Sequence, residues 1–120
     1  MLKLMLFLVR NPGTTIEEMQ DYYDNQHLPL ALKTFPQIKE HRRNYLTGET
    51  FFPDGVEPPP YDAISELWFE DRAALDEMLG LLVDPEIRDR VRADDARFLD
   101  PKKCGMMIVD ESIGAGARRA

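Results

Sequence analysis

The sequence predicts a single α+β domain, and three observations carry that prediction. A chain of 120 residues leaves room for one core of ordinary size. Segments patterned as strands and helices follow one another in the order β, α, β, β, α, β. The first strand is apolar at both parities, with Leu2, Leu4, Leu6 and Leu8 on one and Met5, Phe7 and Val9 on the other, so its sheet needs cover on both faces. Hydrophobic residues at 43%, with six Phe and four Tyr, exclude a disordered chain.

Asn11, Pro12 and Gly13 form a turn after the first strand, and Thr15 with Glu18 has the form of a capping box opening a helix. Ile16, Met19, Tyr23, His27 and Leu30 recur at three- and four-residue steps, so one stripe of this helix faces a core. Pro29 is expected to end or kink it. Residues 38–47 form a polar strand with His41, Arg43 and Tyr45 on one parity. Residues 50–60 are too rich in Pro and Gly to be regular, and Phe51 and Phe52 within them are expected to fold over a pocket mouth as a lid.

Residues 61–69 form the third strand, with Asp62, Ile64, Glu66 and Trp68 on one parity and Ala63, Ser65, Leu67 and Phe69 on the other. Asp71 caps a helix whose apolar stripe is Ala74, Leu75, Met78, Leu79 and Leu82. A further helical start follows at Asp84-Pro85, with Ile87, Val91 and Phe98 inward, and residues 104–109 form the last strand. The domain spans residues 1–112, and residues 113–120 read as a flexible tail. This order is the split βαβ, ferredoxin-like pattern, with both helices on one face of a four-stranded antiparallel sheet. The other face is left bare, so a homodimer is expected to cover it.

A net charge of −7 repels polyphosphates and anionic lipid, so neither nucleic acid nor a membrane is expected as a partner. The apolar start is too short to span a bilayer and lacks a small-residue cleavage site. Cys104 is the lone cysteine and closes no intramolecular disulfide, which suits a reducing, cytoplasmic location.

His27 is the first candidate for chemistry, because an imidazole transfers protons near neutral pH; otherwise it is a helix-end histidine bonding the last free carbonyls. Glu66 is the second. Facing a cavity, its carboxyl would be raised in pKa by desolvation and fitted for proton transfer; otherwise it is a structural partner of Arg42 or Arg43. Substrate contacts are sought among Tyr23, His41, Tyr45, Phe51, Phe52, Asp62 and Trp68. Within this set Tyr23 and Trp68 also suit a core, and Asp62 also suits a solvated strand end. Two histidines on different elements and one cysteine give no metal-ligand spacing, and there is no Gly-rich phosphate loop or Gly-x-Ser-x-Gly elbow. The acidic run 89–100 reads as a solvated helix face with pairs such as Arg90 and Asp94.

Three motifs resemble the EthD family of the dimeric α+β barrel superfamily. They are Tyr22-Tyr23 with His27-Leu28-Pro29-Leu30, the strand from Tyr61 to Phe69, and Asp95 to Pro101. Two stretches depart from the family pattern: His41-Arg42-Arg43-Asn44, where members usually carry Tyr and an aliphatic residue, and the Pro-rich loop. The family includes methylmuconolactone isomerases and fungal polyketide-tailoring dehydratases or decarboxylases, and its characterised members often work without metal or organic cofactor. The resemblance implies a cofactor-independent lyase or isomerase that dehydrates, isomerises or cyclises an aromatic, lactone or polyketide-like substrate. His27 and Glu66 would then move protons across one cavity. The alternatives are a non-catalytic ligand-binding accessory protein and a cofactor-free monooxygenase acting on a phenol.

Overall fold

The first strand, β1 (Leu2–Leu8), lies inside the sheet, paired antiparallel to β3 (Ala63–Phe69) on one side and to β4 (Gly105–Asp110) on the other; β2 (Glu40–Tyr45) extends the sheet beyond β3. The computed structural model describes residues 2–51, 53–114 and 116. The strand order β2-β3-β1-β4, all antiparallel, is that of the ferredoxin-like α+β fold. The helices are α1 (Ile16–Tyr22), α2 (Leu28–Thr34), α3 (Arg72–Leu82) and α4 (Pro85–Asp95).

Each helix start anticipated from sequence is formed as expected. The Thr15 hydroxyl accepts from the Glu18 backbone N–H and the Glu18 carboxylate accepts from the Thr15 N–H, both at 3.1 Å. Asp71 accepts from the Ala74 N–H, and Asp84 accepts from the N–H groups of Glu86 and Ile87 with Pro85 in the first turn.

Register decides which parity of each strand meets the helices. Leu4 pairs with Leu67 and Ile108, and His41 pairs with Leu67. Leu4, Leu8, Ala63, Ser65, Leu67 and Phe69 are all buried beneath the helices. One core cluster joins Leu4, Leu67 and Phe69 to Phe35, Ile38, Leu75 and Met78; a second joins Leu8 and Ala63 to Met19, Tyr23, Phe98 and Leu99. The opposite, open face carries Met5, Phe7, Ile64, Trp68, Met107 and Val109, with Met107 60% exposed. Lys3 also lies on this face yet is buried, since its ammonium pairs with Glu66 and Glu111 and stands 4.2 Å from the Trp68 ring centre.

The structure corrects the reading of Pro29. The helix does not end there: between α1 and α2 the chain makes a π-helical turn, Tyr23–His27, in which the Leu28 N–H bonds the Tyr23 carbonyl. Proline lacks an N–H and its ring crowds the carbonyl four residues back, so a widened turn just before Pro29 lets the helix run on to Thr34. Among the described residues no helix is long and apolar enough to cross a membrane. Of the segment expected as a flexible tail, residues 115 and 117–120 lie outside the described residues.

Candidate active site

The π-turn builds the site. It brings Tyr23 and His27 edge to face, ring centres 5.4 Å apart, with Phe98 packed against both, 4.9 Å from His27 and 5.2 Å from Tyr23. π-Helical turns of this kind recur at functional sites because they re-aim side chains without breaking the helix. The turn is pinned to the sheet through Asp24, whose Oδ1 accepts from Arg43 Nε at 2.8 Å and from the Tyr45 hydroxyl at 2.6 Å.

His27 lines a cavity of about 460 Å³ between helices and sheet and a second of about 280 Å³ beside it. The two share Leu6, His27, Arg92, Asp95 and Met106, so His27 stands where they adjoin. Its Nδ1–H donates to Asp94 Oδ2 at 2.5 Å, and the other Asp94 oxygen accepts from the Tyr22 hydroxyl at 2.6 Å. With Nδ1–H so engaged, a neutral ring carries its lone pair on Nε2, the logic by which a carboxylate sets the tautomer of a histidine. Asp95 Oδ1 lies 3.8 Å from the same Nδ1. Burial raises the pKa of Asp95; the neighbouring Asp94 adds to this and His27 opposes it.

A second chain of hydrogen bonds runs beneath. The Tyr23 hydroxyl donates to Ser65 Oγ at 2.8 Å and lies 2.8 Å from His41 Nε2, which therefore carries the proton and donates to the Tyr23 oxygen. Burial, helped by Arg43 and His27, drops the His41 pKa to about 4, so this imidazole is neutral. Burial likewise pushes the Tyr23 phenol well above its ordinary value.

Among the candidates the structure brings together His27, Tyr23 and His41, with Tyr45 edge to face on Tyr23 at 6.2 Å, and separates Glu66, Trp68, Asp62 and Phe51 from His27. Glu66 lies on the open face, across the sheet from His27, so the two do not share a cavity. The hydrogen bond from Lys3 holds the Glu66 carboxyl below its usual range despite burial, with Asn44 assisting, which is the reverse of the expected rise. Its structural partner is Lys3, not Arg42 or Arg43. Trp68 shares that face, sandwiched between Lys3 and the Arg42 guanidinium, 4.3 Å from the ring centre.

Asp62 caps a strand end, accepting from the Arg10 N–H at 2.8 Å. Asp62 and Tyr45 line an outer groove with the loop residues Thr47, Thr50 and Pro58 instead of the His27 cavity. Phe51 is fully exposed, and no described residue of its loop lines either cavity; Phe52 lies outside the described residues.

Asp94 and Asp95 belong to the run expected as a solvated helix face, yet both stand beside His27. Asp94 is directed to His27 and Tyr22 instead of Arg90. The spacing contained a signal: positions 94 and 95 fill the gap between the inward residues Val91 and Phe98 at three- and four-residue steps. Among the described residues no group of His, Cys, Asp and Glu is placed to hold a metal ion.

Comparison with solved structures returns the same fold. An EthD family protein of Bacillus halodurans aligns over 93% of this chain and 100% of its own, at 17% identity and a TM-score of 0.63. An EthD-like protein of Ralstonia eutropha aligns over 98% of this chain and 96% of its own, at 13% identity and a TM-score of 0.64. A dimeric ferredoxin-like protein of Jannaschia sp. aligns over 92% and 98%, at 16% identity and a TM-score of 0.58. Comparison with curated proteins found no match. The model of the EthD domain matches residues 11–102, most of the chain, and this protein belongs to the EthD domain family.

Proposed function

We propose that the chain is a small-molecule enzyme that uses its own side chains for proton transfer, with His27 as general base and acid in a dehydration, isomerisation or ring closure. The observation that carries this reading is that His27 lines the cavity while its Nδ1 is bound by Asp94, which leaves Nε2 as the nitrogen for proton transfer. Such a group contributes about 10²- to 10⁴-fold to rate. Tyr23 and His41 support the floor of the site, and a volume of about 460 Å³ lies within the span of small-molecule pockets. Glu66 has no part in the mechanism.

The functional unit in this proposal is a homodimer. The open face places Met5, Phe7, Ile64 and Met107 together on a sheet that the helices of the same chain do not cover, and the Jannaschia neighbour is dimeric.

The experiment is proton exchange in deuterated water, followed by NMR, on a panel of aryl ketones and 1,3-dicarbonyl compounds. The intact protein should catalyse α-proton exchange of at least one binding member, and His27→Gln should abolish it with the fold retained. Tight binding across the panel with no exchange would make the chain a binder instead of an enzyme.

A further inference from the structure

The cavity beside His27 is mostly apolar on its strand, α2 and α3 sides, where Leu6, Leu67, Ala31, Phe35 and Met78 line it together with the polar Thr34 and His41. α4 differs. Arg88 and Arg92, one helical turn apart, both line this cavity, and Arg92 also lines the smaller one, at the place the two share with His27. Both arginines stand at the cavity mouth, Arg88 half-buried and Arg92 exposed. Among the described residues the ion pair of Arg88 is with Asp89, its own chain neighbour, at 3.4 Å, with the Asp89 side chain 71% exposed. Arg92 has no ion pair among the described residues. Two cations on one wall of this cleft, one paired only with its exposed chain neighbour and the other with no ion pair among the described residues, run against a net charge of −7. Of the acids nearby, Asp94 holds His27 and Tyr22, and Asp95 lines both cavities with Oδ1 3.8 Å from His27 Nδ1.

We propose that the ligand of this cavity is a carboxylate, its apolar body against Leu6, Leu67 and Met78 and its anionic group received by Arg88 and Arg92. Guanidinium groups suit this task because they stay charged and present paired N–H donors that match a carboxylate. The proposal rests on reading the cavity as the substrate site and adds the charge of the substrate. The carboxylate would be received on the His27 side of α4, so Arg92 determines specificity and orients the ligand toward Nε2.

Two probes matched in size and differing in charge test it: 2-naphthoate and 2-naphthamide, titrated into the full chain by calorimetry, with NMR shifts at His27 and Leu30 reporting where they sit. The carboxylate should bind roughly tenfold or more tightly than the amide. The double substitution Arg88→Gln with Arg92→Gln should bring the two affinities together, chiefly by weakening the carboxylate. Arg88→Lys with Arg92→Lys should retain a preference, since the charges remain. Equal affinities in the unmodified protein, or a preference that survives the double Gln substitution, with shifts at His27 and Leu30, would overturn the inference and leave the cavity as the substrate site. Binding of neither probe, or shifts that avoid His27 and Leu30, would overturn both.

Discussion

His41 links the buried hydrogen-bond chain to a measurable pH dependence. Its pKa falls to about 4 in the fold, chiefly through burial and then through Arg43 and His27, against 6.5 for an unperturbed imidazole. The folded state keeps the ring neutral, so below pH 6.5 the unfolded chain binds a proton that the folded chain refuses. The associated stability is complete above about pH 6.5 and is lost as pH falls toward 4. Integrating between the two pKa values gives a loss of about 2 kcal/mol from pH 7 to pH 5 and about 3 kcal/mol by pH 4. The raised carboxyl of Asp95 acts with the opposite sign, adding stability as pH falls. Urea unfolding of the unmodified protein and of His41→Gln, at fixed protein concentration across pH 5–7, removes that background by difference. The two stability curves should diverge by about 2 kcal/mol over this range. A constant offset from the altered Tyr23 contact does not enter the slope. Parallel curves, or an NMR titration of His41 with a midpoint near 6.5, would refute the assignment.

Three further outcomes are expected. Asp94→Asn presents an amide N–H to His27 Nδ1 and moves the ring proton to Nε2, so turnover should fall about 10²- to 10⁴-fold; two-bond ¹H–¹⁵N correlations read the tautomer without substrate, and an unchanged tautomer would end the dyad reading. Lys3 holds the Glu66 carboxyl below its ordinary 4.5, so its stabilisation is present at neutral pH and is lost as pH falls through the depressed value. Glu66→Gln should therefore flatten the acid limb of stability with turnover per folded molecule unchanged, and a loss of turnover at constant stability would return Glu66 to the mechanism. Sedimentation at micromolar concentration should show twice 13.9 kDa, and Phe7→Arg on the open face should abolish that species; a fully active monomer would refute the proposed assembly.

The parts of the fold that local chemistry dictates were legible in the sequence. Thr15 with Glu18, Asp71, and Asp84 with Pro85 each announced a helix start, because a side-chain oxygen must satisfy the free N–H groups of a first turn. The two parities of β3 were also legible, but which of them meets the helices was not. Ile64 and Trp68 are as apolar as Leu67 and Phe69, so the pattern alone left Glu66 free to join His27, and only the pairing of Leu4 with Leu67 assigns the faces. The π-turn was hidden for a different reason. Pro29 is normally a breaker, and its accommodation depends on backbone spacing that no side-chain pattern reports. Asp94 and Asp95 were masked by the solvated acids around them, though they continue the stripe of Ile87, Val91 and Phe98.

The sheet keeps two kinds of charge apart. On the open face Lys3 gathers Glu66 and Glu111 beneath Trp68, which satisfies the ammonium beside the apolar Met5, Phe7 and Met107, while Glu40, Arg42 and Asn44 line the β2 edge of that face. On the helix face Asp94 is held by His27 and Tyr22, while Arg88, Arg92 and Asp95 line the cavity beside them. A substitution on one face acts on the other only through the backbone of β1 and β3. Loss of assembly through Phe7 and loss of proton transfer through Asp94 are therefore separable. The double substitution at both sites should lose each property by its single-site amount, as expected for sites with no shared partner. Substantial coupling between the two would place the partner subunit in contact with the His27 cavity, and the site could then no longer be described within one chain.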